Sequence, residues 1–144
     1  MIEIRHTGLV TRDIKKSLIF WKKYLKFKIK KQMDESGKLI DQIMLYKNVE
    51  VKTFKLADKN NNLLELLYFK NSPKIKFKKI KPYENGFTHI SVTVKNLNYL
   101  YKSMKKKKIS FNSIPQKSAD GKVLMTYCRT PEGAFLELVQ ELEK

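Results

Sequence analysis

The sequence is short of cysteine, arginine and histidine. Its 144 residues include one cysteine, Cys128, three arginines, Arg5, Arg12 and Arg129, and two histidines, His6 and His89. A lone cysteine excludes a disulfide framework and a cluster of zinc thiolates. Its setting, VLMTYCRT, reads as a strand, so a buried inert thiol is expected rather than a nucleophile. No apolar run approaches the ~20 residues of a membrane helix, and Glu3, Arg5, Arg12 and Asp13 interrupt the stretch where a signal peptide needs an apolar core. A cytoplasmic protein with no membrane partner is the expectation.

The scarcity of arginine also bears on the net charge of +17, which comes almost wholly from lysine. Readers of nucleic acid favour arginine for its bidentate contacts to bases and phosphates. Here the lysines are scattered, with denser runs at 105–108 and 74–81, and asparagine accompanies them around 59–62. No nucleic-acid partner is expected. A positive field of this kind suits the attraction of a small anionic substrate.

What is present is a 42% hydrophobic composition, enough for one core, and a pattern that starts twice. Residues 2–11 read as a strand. Asp13 is placed to cap a helix whose apolar positions Ile14, Leu18, Trp21 and Leu25 recur at helical spacing. Strands are expected at 27–33, 49–56 and 63–69, with turns at 34–37 and 59–62, and a short helix or irregular flap at 39–46. A Pro- and Lys-rich connection follows at 71–85. Then His89 opens a strand, Asn96 caps, and Leu97, Tyr101 and Met104 line a helix, each 83 positions after His6, Asp13, Ile14, Leu18 and Trp21 in turn. Strands at 111–114, 122–129 and 135–140 complete the second copy. The domains expected are a first module at 1–70, a linker at 71–85 and a second module at 86–144, one structural domain overall. An internal repeat of this length fixes the architecture.

The repeat gives four residues a meaning that none has alone. The first half ends NNLLELLYF and the second GAFLELVQ, so an acidic residue, Glu65 or Glu137, interrupts an apolar strand in each. Leu63, Leu67 and Phe69 share the face of Glu65, and Leu64, Leu66 and Tyr68 take the other, so the strand is expected to be buried on both sides. A carboxylate there is costly unless paired or bound to a metal. Small neighbours, Gly8 and Ser91, share the faces of His6 and His89 and leave room for a cavity. A single such histidine or glutamate is usually structural. Two of each at matched positions form a nitrogen and oxygen ligand set for one divalent ion.

HTGLVTRDIKKSLIFWKKYLKF, NNLLELLYF, NGFTHISVTVKNL and RTPEGAFLELVQ together resemble the vicinal oxygen chelate superfamily. It includes glyoxalase I, methylmalonyl-CoA epimerase, extradiol dioxygenases, and the bleomycin and fosfomycin resistance proteins. Two departures stand out. Lys26 precedes Phe27 where a glycine is usual, and Thr130-Pro131-Glu132-Gly133 replaces the usual Asp-Pro-Asp-Gly. The resemblance implies an α+β fold of two tandem βαβββ modules, with a curled, mostly antiparallel sheet around a metal cavity. It implies His6, Glu65, His89 and Glu137 as ligands of one divalent ion (Ni, Zn, Co, Mn or Fe), and a homodimer as the expected assembly. It also implies that Tyr127 faces the cavity, with Met125 and Arg129 on the same strand parity as substrate contacts.

The activity so implied is that of a glyoxalase-like lyase or isomerase. The metal polarises a carbonyl, and Glu137 moves the adjacent proton, with Glu65 serving the other face. Three alternatives stand beside it. One is an epimerase of an acyl-CoA or sugar-type substrate. Another is a non-haem iron ring-cleaving dioxygenase, which resembles a two-His, one-carboxylate pattern instead of four ligands. The third is a metal-free, ligand-sequestering protein of the bleomycin-resistance kind.

Overall fold

The computed structural model describes residues 1–142; the last two positions of the second module, 143 and 144, lie outside the described residues. The chain divides into two compact units, Met1–Lys76 and Phe77–Lys144, and the boundary falls inside the stretch 71–85.

The first unit runs β1 (Thr7–Val10), α1 (Ile14–Leu18), a π-helical turn (Ile19–Tyr24), β2 (Lys28–Ser36), α2 (Lys38–Met44), β3 (Glu50–Ala57) and β4 (Leu63–Phe69). Its four strands lie in the order β1-β4-β3-β2, with β1 parallel to β4 and the other pairings antiparallel. Asp13 caps α1 as its position predicts, accepting from the Lys16 amide at 2.9 Å. The helix then widens into the π turn. That shift brings the consecutive residues Phe20 and Trp21 inward together, where their rings meet edge to face at 5.3 Å. Leu18 and Leu25, which share the helical spacing of Trp21, are only half-buried. Lys26 ends the segment at φ 64°, the left-handed conformation that a glycine adopts most readily.

The second unit is built the same way: β5 (His89–Thr93), α3 (Leu97–Lys106), β6 (Gln116–Lys117), β7 (Val123–Arg129) and β8 (Phe135–Glu141), ordered β5-β8-β7-β6. β5 runs parallel to β8, and the rest is antiparallel. Asn96 caps α3 by accepting from the Tyr99 amide at 3.0 Å, and Leu97 and Met104 are buried. The fold is therefore α+β, two βαβββ modules with two four-stranded mixed sheets, neither closed on itself.

Four local expectations need correction. The turn at 34–37 is absent, because β2 continues through Ser36 and Gly37, at φ 100°, starts α2 directly; the segment 39–46 is mostly this helix. The strand at 111–114 reduces to one bridge, Phe111 to Cys128, and the edge strand forms beyond Pro115 instead. β1 begins only at Thr7, so His6 lies just ahead of the strand. Finally, β4 is buried on one face, through Leu64 and Leu66, while Leu63, Glu65, Leu67 and Phe69 are half-buried. The glutamate thus sits on the more open face, where water shares the cost of its charge.

Candidate functional site

In the first module the parallel pairing of β1 with β4 sets Gly8 beside Glu65. His6, two residues earlier, brings its Nε2 to 3.7 Å from Glu65 Oε1. Across the β3–β4 hairpin, Lys55 is the register partner of Glu65, and its Nζ lies 3.6 Å from Oε2. The carboxylate thus stands between an imidazole and an ammonium, with its side chain 13% exposed. The other ring nitrogen, His6 Nδ1, is buried and without a hydrogen-bond partner.

The second module repeats the pair with a different neighbour. Ser91 lies beside Glu137 in the β5–β8 register, and His89 Nε2 is 3.8 Å from Glu137 Oε2. His89 Nδ1, on the far side of the ring, is joined to Thr88 Oγ1 at 2.9 Å. With the proton on Nδ1, this bond leaves Nε2 as a bare donor atom facing the carboxylate. Tyr127, the register partner of Glu137 on β7, donates its hydroxyl to Glu137 Oε1 at 3.1 Å and meets the His89 ring edge to face at 5.4 Å. Burial, and then the hydrogen bond to Glu137, holds the Tyr127 phenol above its ordinary value, so it stays a donor at neutral pH.

The three residues expected on one strand parity do share the sheet face of Glu137. Met125 lies across from Val139, Tyr127 from Glu137 and Arg129 from Phe135. Arg129 is already engaged, donating to the Gly133 carbonyl at 2.9 Å and lying over the Phe135 ring at 3.6 Å. Cys128 points to the opposite face, fully buried, and burial pushes its thiol up to about 12. The residue that sequence reasoning missed is Lys55. The signal was available: Glu137 follows Tyr127 by ten positions, and Glu65 follows Lys55 by the same ten.

Each module brings one histidine nitrogen and one carboxylate oxygen together. Two donors each about 2.1 Å from a common ion stand roughly 3.0–3.5 Å apart at tetrahedral or octahedral angles. The observed 3.7 and 3.8 Å are within a few tenths of an ångström of that spacing. The donor types suit a borderline divalent cation. Among the described residues no group of three or more His, Cys, Asp or Glu side chains comes together. No helix among them is long and apolar enough to cross a membrane.

Comparison with known proteins places this geometry in context. The family model described as Glyoxalase/Bleomycin resistance protein/Dioxygenase superfamily matches residues 3–138. No curated protein matches in sequence. Among solved structures, a glyoxalase family protein from Bacillus cereus superposes with a TM-score of 0.88 at 14% identity, covering 99% of this chain and 96% of that one. A glyoxalase family protein from Enterococcus faecalis gives 0.69 at 16% identity, covering 95% and 96%. The trypanothione-dependent glyoxalase I of Leishmania major gives 0.65 at 18% identity, covering 98% and 88%.

Proposed function

We propose that this chain, which belongs to the glyoxalase/bleomycin resistance protein/dioxygenase superfamily, is a divalent-metal-dependent lyase or isomerase that moves a proton next to a carbonyl of a small anionic substrate. The observation that carries the reading is the repeated His–Glu pair, at 3.7 Å in one module and 3.8 Å in the other. His6, Glu65, His89 and Glu137 would hold the ion. When bound, the metal supplies a Lewis acid for the substrate carbonyl.

The rest falls to the chain's own groups. Glu137 would take the proton beside the carbonyl and return it to the neighbouring carbon, while the Tyr127 hydroxyl holds Oε1 and fixes the plane of the carboxylate. Glu65, which stands between His6 and Lys55, acts as an oxygen ligand. The excess of lysine draws an anionic substrate toward the protein. The second glutamate also suits an epimerase, in which Glu65 returns the proton from the other side. The unlike neighbours of the two carboxylates, a cation and a phenol, favour one mobile base over two.

Metal content tests the reading. Purified wild type and Glu65→Ala are analysed for bound ions after incubation with Ni²⁺, Zn²⁺, Mn²⁺ or Fe²⁺, together with the mass of the species in solution. About one ion per four-ligand set in the wild type, lost in the variant, supports it. Exchange of solvent deuterium into 2-oxo and hemithioacetal compounds then identifies the reaction. No ion under any condition overturns it and leaves a ligand-sequestering protein.

A further inference from the structure

We infer that a second pocket in the first module, beyond the His6–Glu65 pair, binds a small amphiphilic anion: an aryl or branched alkyl body ending in a carboxylate or phosphate. The cavity is about 610 Å³, within the usual range for small-molecule sites, and its walls are mainly apolar. Val10, Met44, Tyr46, Phe69 and Ile75 supply the apolar surface, and Val10 and Ile75 are more than half exposed, at 56% and 64%. An exposed valine and isoleucine facing one hollow are better satisfied by an apolar ligand than by water.

The charged residues on the same lining are Arg12 and Lys74, and the lining includes no acidic residue. Among the described residues neither cation has a hydrogen-bond or ion-pair partner. Two unpaired cations at an apolar hollow select a ligand with one anionic end.

Hydrogen bonds hold the walls at 10–12 and 44–46 in place. Asn71, just past β4, is tied to the stretch 46–50: its amide nitrogen donates to the Asn48 carbonyl, its Oδ1 accepts from the Glu50 amide at 3.3 Å, and its carbonyl accepts from the Tyr46 hydroxyl at 3.2 Å. Asp41 accepts from the Asn48 and Val49 amides at 2.9 and 2.8 Å, which fixes the exit of α2. On the other wall the Thr11 and Ser17 hydroxyls bond at 2.6 Å and the Asp13 amide donates to Thr11 Oγ1 at 3.2 Å, which sets the turn that presents Arg12. Preorganisation of this kind lowers the entropy cost of binding.

The pocket also lies in line with the paired histidine and glutamate. Val10 pairs with Leu67 two residues beyond the Gly8–Glu65 step, and strand alternation puts Val10, Leu67 and Phe69 on the face of Glu65. Two to four residues of strand separate them, roughly 7–13 Å. As the far end of a substrate whose carbonyl sits at Glu65, the assignment rests on the lyase reading; as a binding site it stands by itself.

Calorimetric titration of the full chain, stripped of metal with EDTA, tests it with 4-phenylbutyrate, 2-phenylethyl phosphate, neutral 4-phenylbutyramide and butyrate. At least one aryl anion binds tenfold or more tighter than both the amide and butyrate. Arg12→Gln with Lys74→Gln brings that anion down to the level of the amide, and circular dichroism and thermal unfolding confirm the fold. Val10→Asp, which sets a carboxylate in the hollow, weakens the anion at least as much. Overturning results are aryl anions no tighter than the amide, or tighter binding that survives the double substitution and so reflects the general lysine field. Because metal is absent, the two readings fail separately. Loss here beside normal metal loading removes the pocket, and binding here beside a wild type that takes no ion removes the lyase.

Discussion

Lys55 and Tyr127 stand at the same position of the two modules, each directly across a hairpin from the glutamate of its pair, and they act on it differently. The Lys55 ammonium, 3.6 Å from Glu65, offers a competing positive charge. The Tyr127 hydroxyl, 3.1 Å from Glu137, offers one directed hydrogen bond and no charge. Two modules that repeat each other in backbone and in histidine are therefore unlike where the carboxylate is held.

Tyr127→Phe keeps the ring beside His89 and removes only the bond to Glu137. A typical hydrogen bond contributes about 1 kcal/mol, close to fivefold in a rate. Deuterium exchange into the substrate is expected to slow by about that factor while metal content stays at the wild-type level. Loss of metal together with rate would give Tyr127 a role in holding the site instead.

Lys55→Met removes the cation that shares Glu65. A partly exposed ion pair contributes up to about 1 kcal/mol, so the affinity for a divalent ion should rise by roughly fivefold at low salt. Added salt should shrink the difference, since it screens the charge that the substitution deletes. Competition against a chromophoric chelator reads both effects.

Lys26→Gly relieves the left-handed backbone at φ 64°. A non-glycine residue there costs about 1–2 kcal/mol, and the extra freedom of glycine in the unfolded chain returns about 0.5–1 of it. A net gain of about 0.5–1 kcal/mol is expected in urea unfolding, with an unchanged slope.

Asp58 closes the β3–β4 turn by accepting from the Asn60 and Asn62 amides and from the Asn62 side chain, each at 2.9 Å. Burial alone would raise its carboxyl; these bonds outweigh that and leave it below the ordinary value. Its stabilisation is therefore fully present above the unfolded value, about 3.9, and is lost as pH falls through the lower folded one. Asp58→Ala should cost about 1 kcal/mol at neutral pH. The two unfolding curves should converge as pH falls below the folded value, which lies under the unfolded one. A difference that persists unchanged into acid would assign the effect to turn conformation.

The repeat, both helix caps and the two His–Glu pairs were legible in the linear chain, because each rests on local rules. A cap reaches three residues ahead, as Asp13 and Asn96 do, and a strand alternates at period two around Glu65 and Glu137. The sequence by itself thus determined the βαβββ order and which four side chains recur. The π turn that buries Phe20 and Trp21 together was not legible, since it depends on what the sheet beneath can accept. Nor was the edge strand at Gln116–Lys117, which pairs only after β7 has formed its outer edge. Tertiary structure decided how the glutamates are held, since the ten-residue spacings from Lys55 and Tyr127 become contacts only in the register that forms. Lys55 and Tyr127 reach them across hairpins whose register is set by closure of the turn, and a shift of one residue would have put both on the far face. The hollow between Arg12, Tyr46 and Lys74 also belongs to the tertiary structure, since its walls come from three separate segments of the chain.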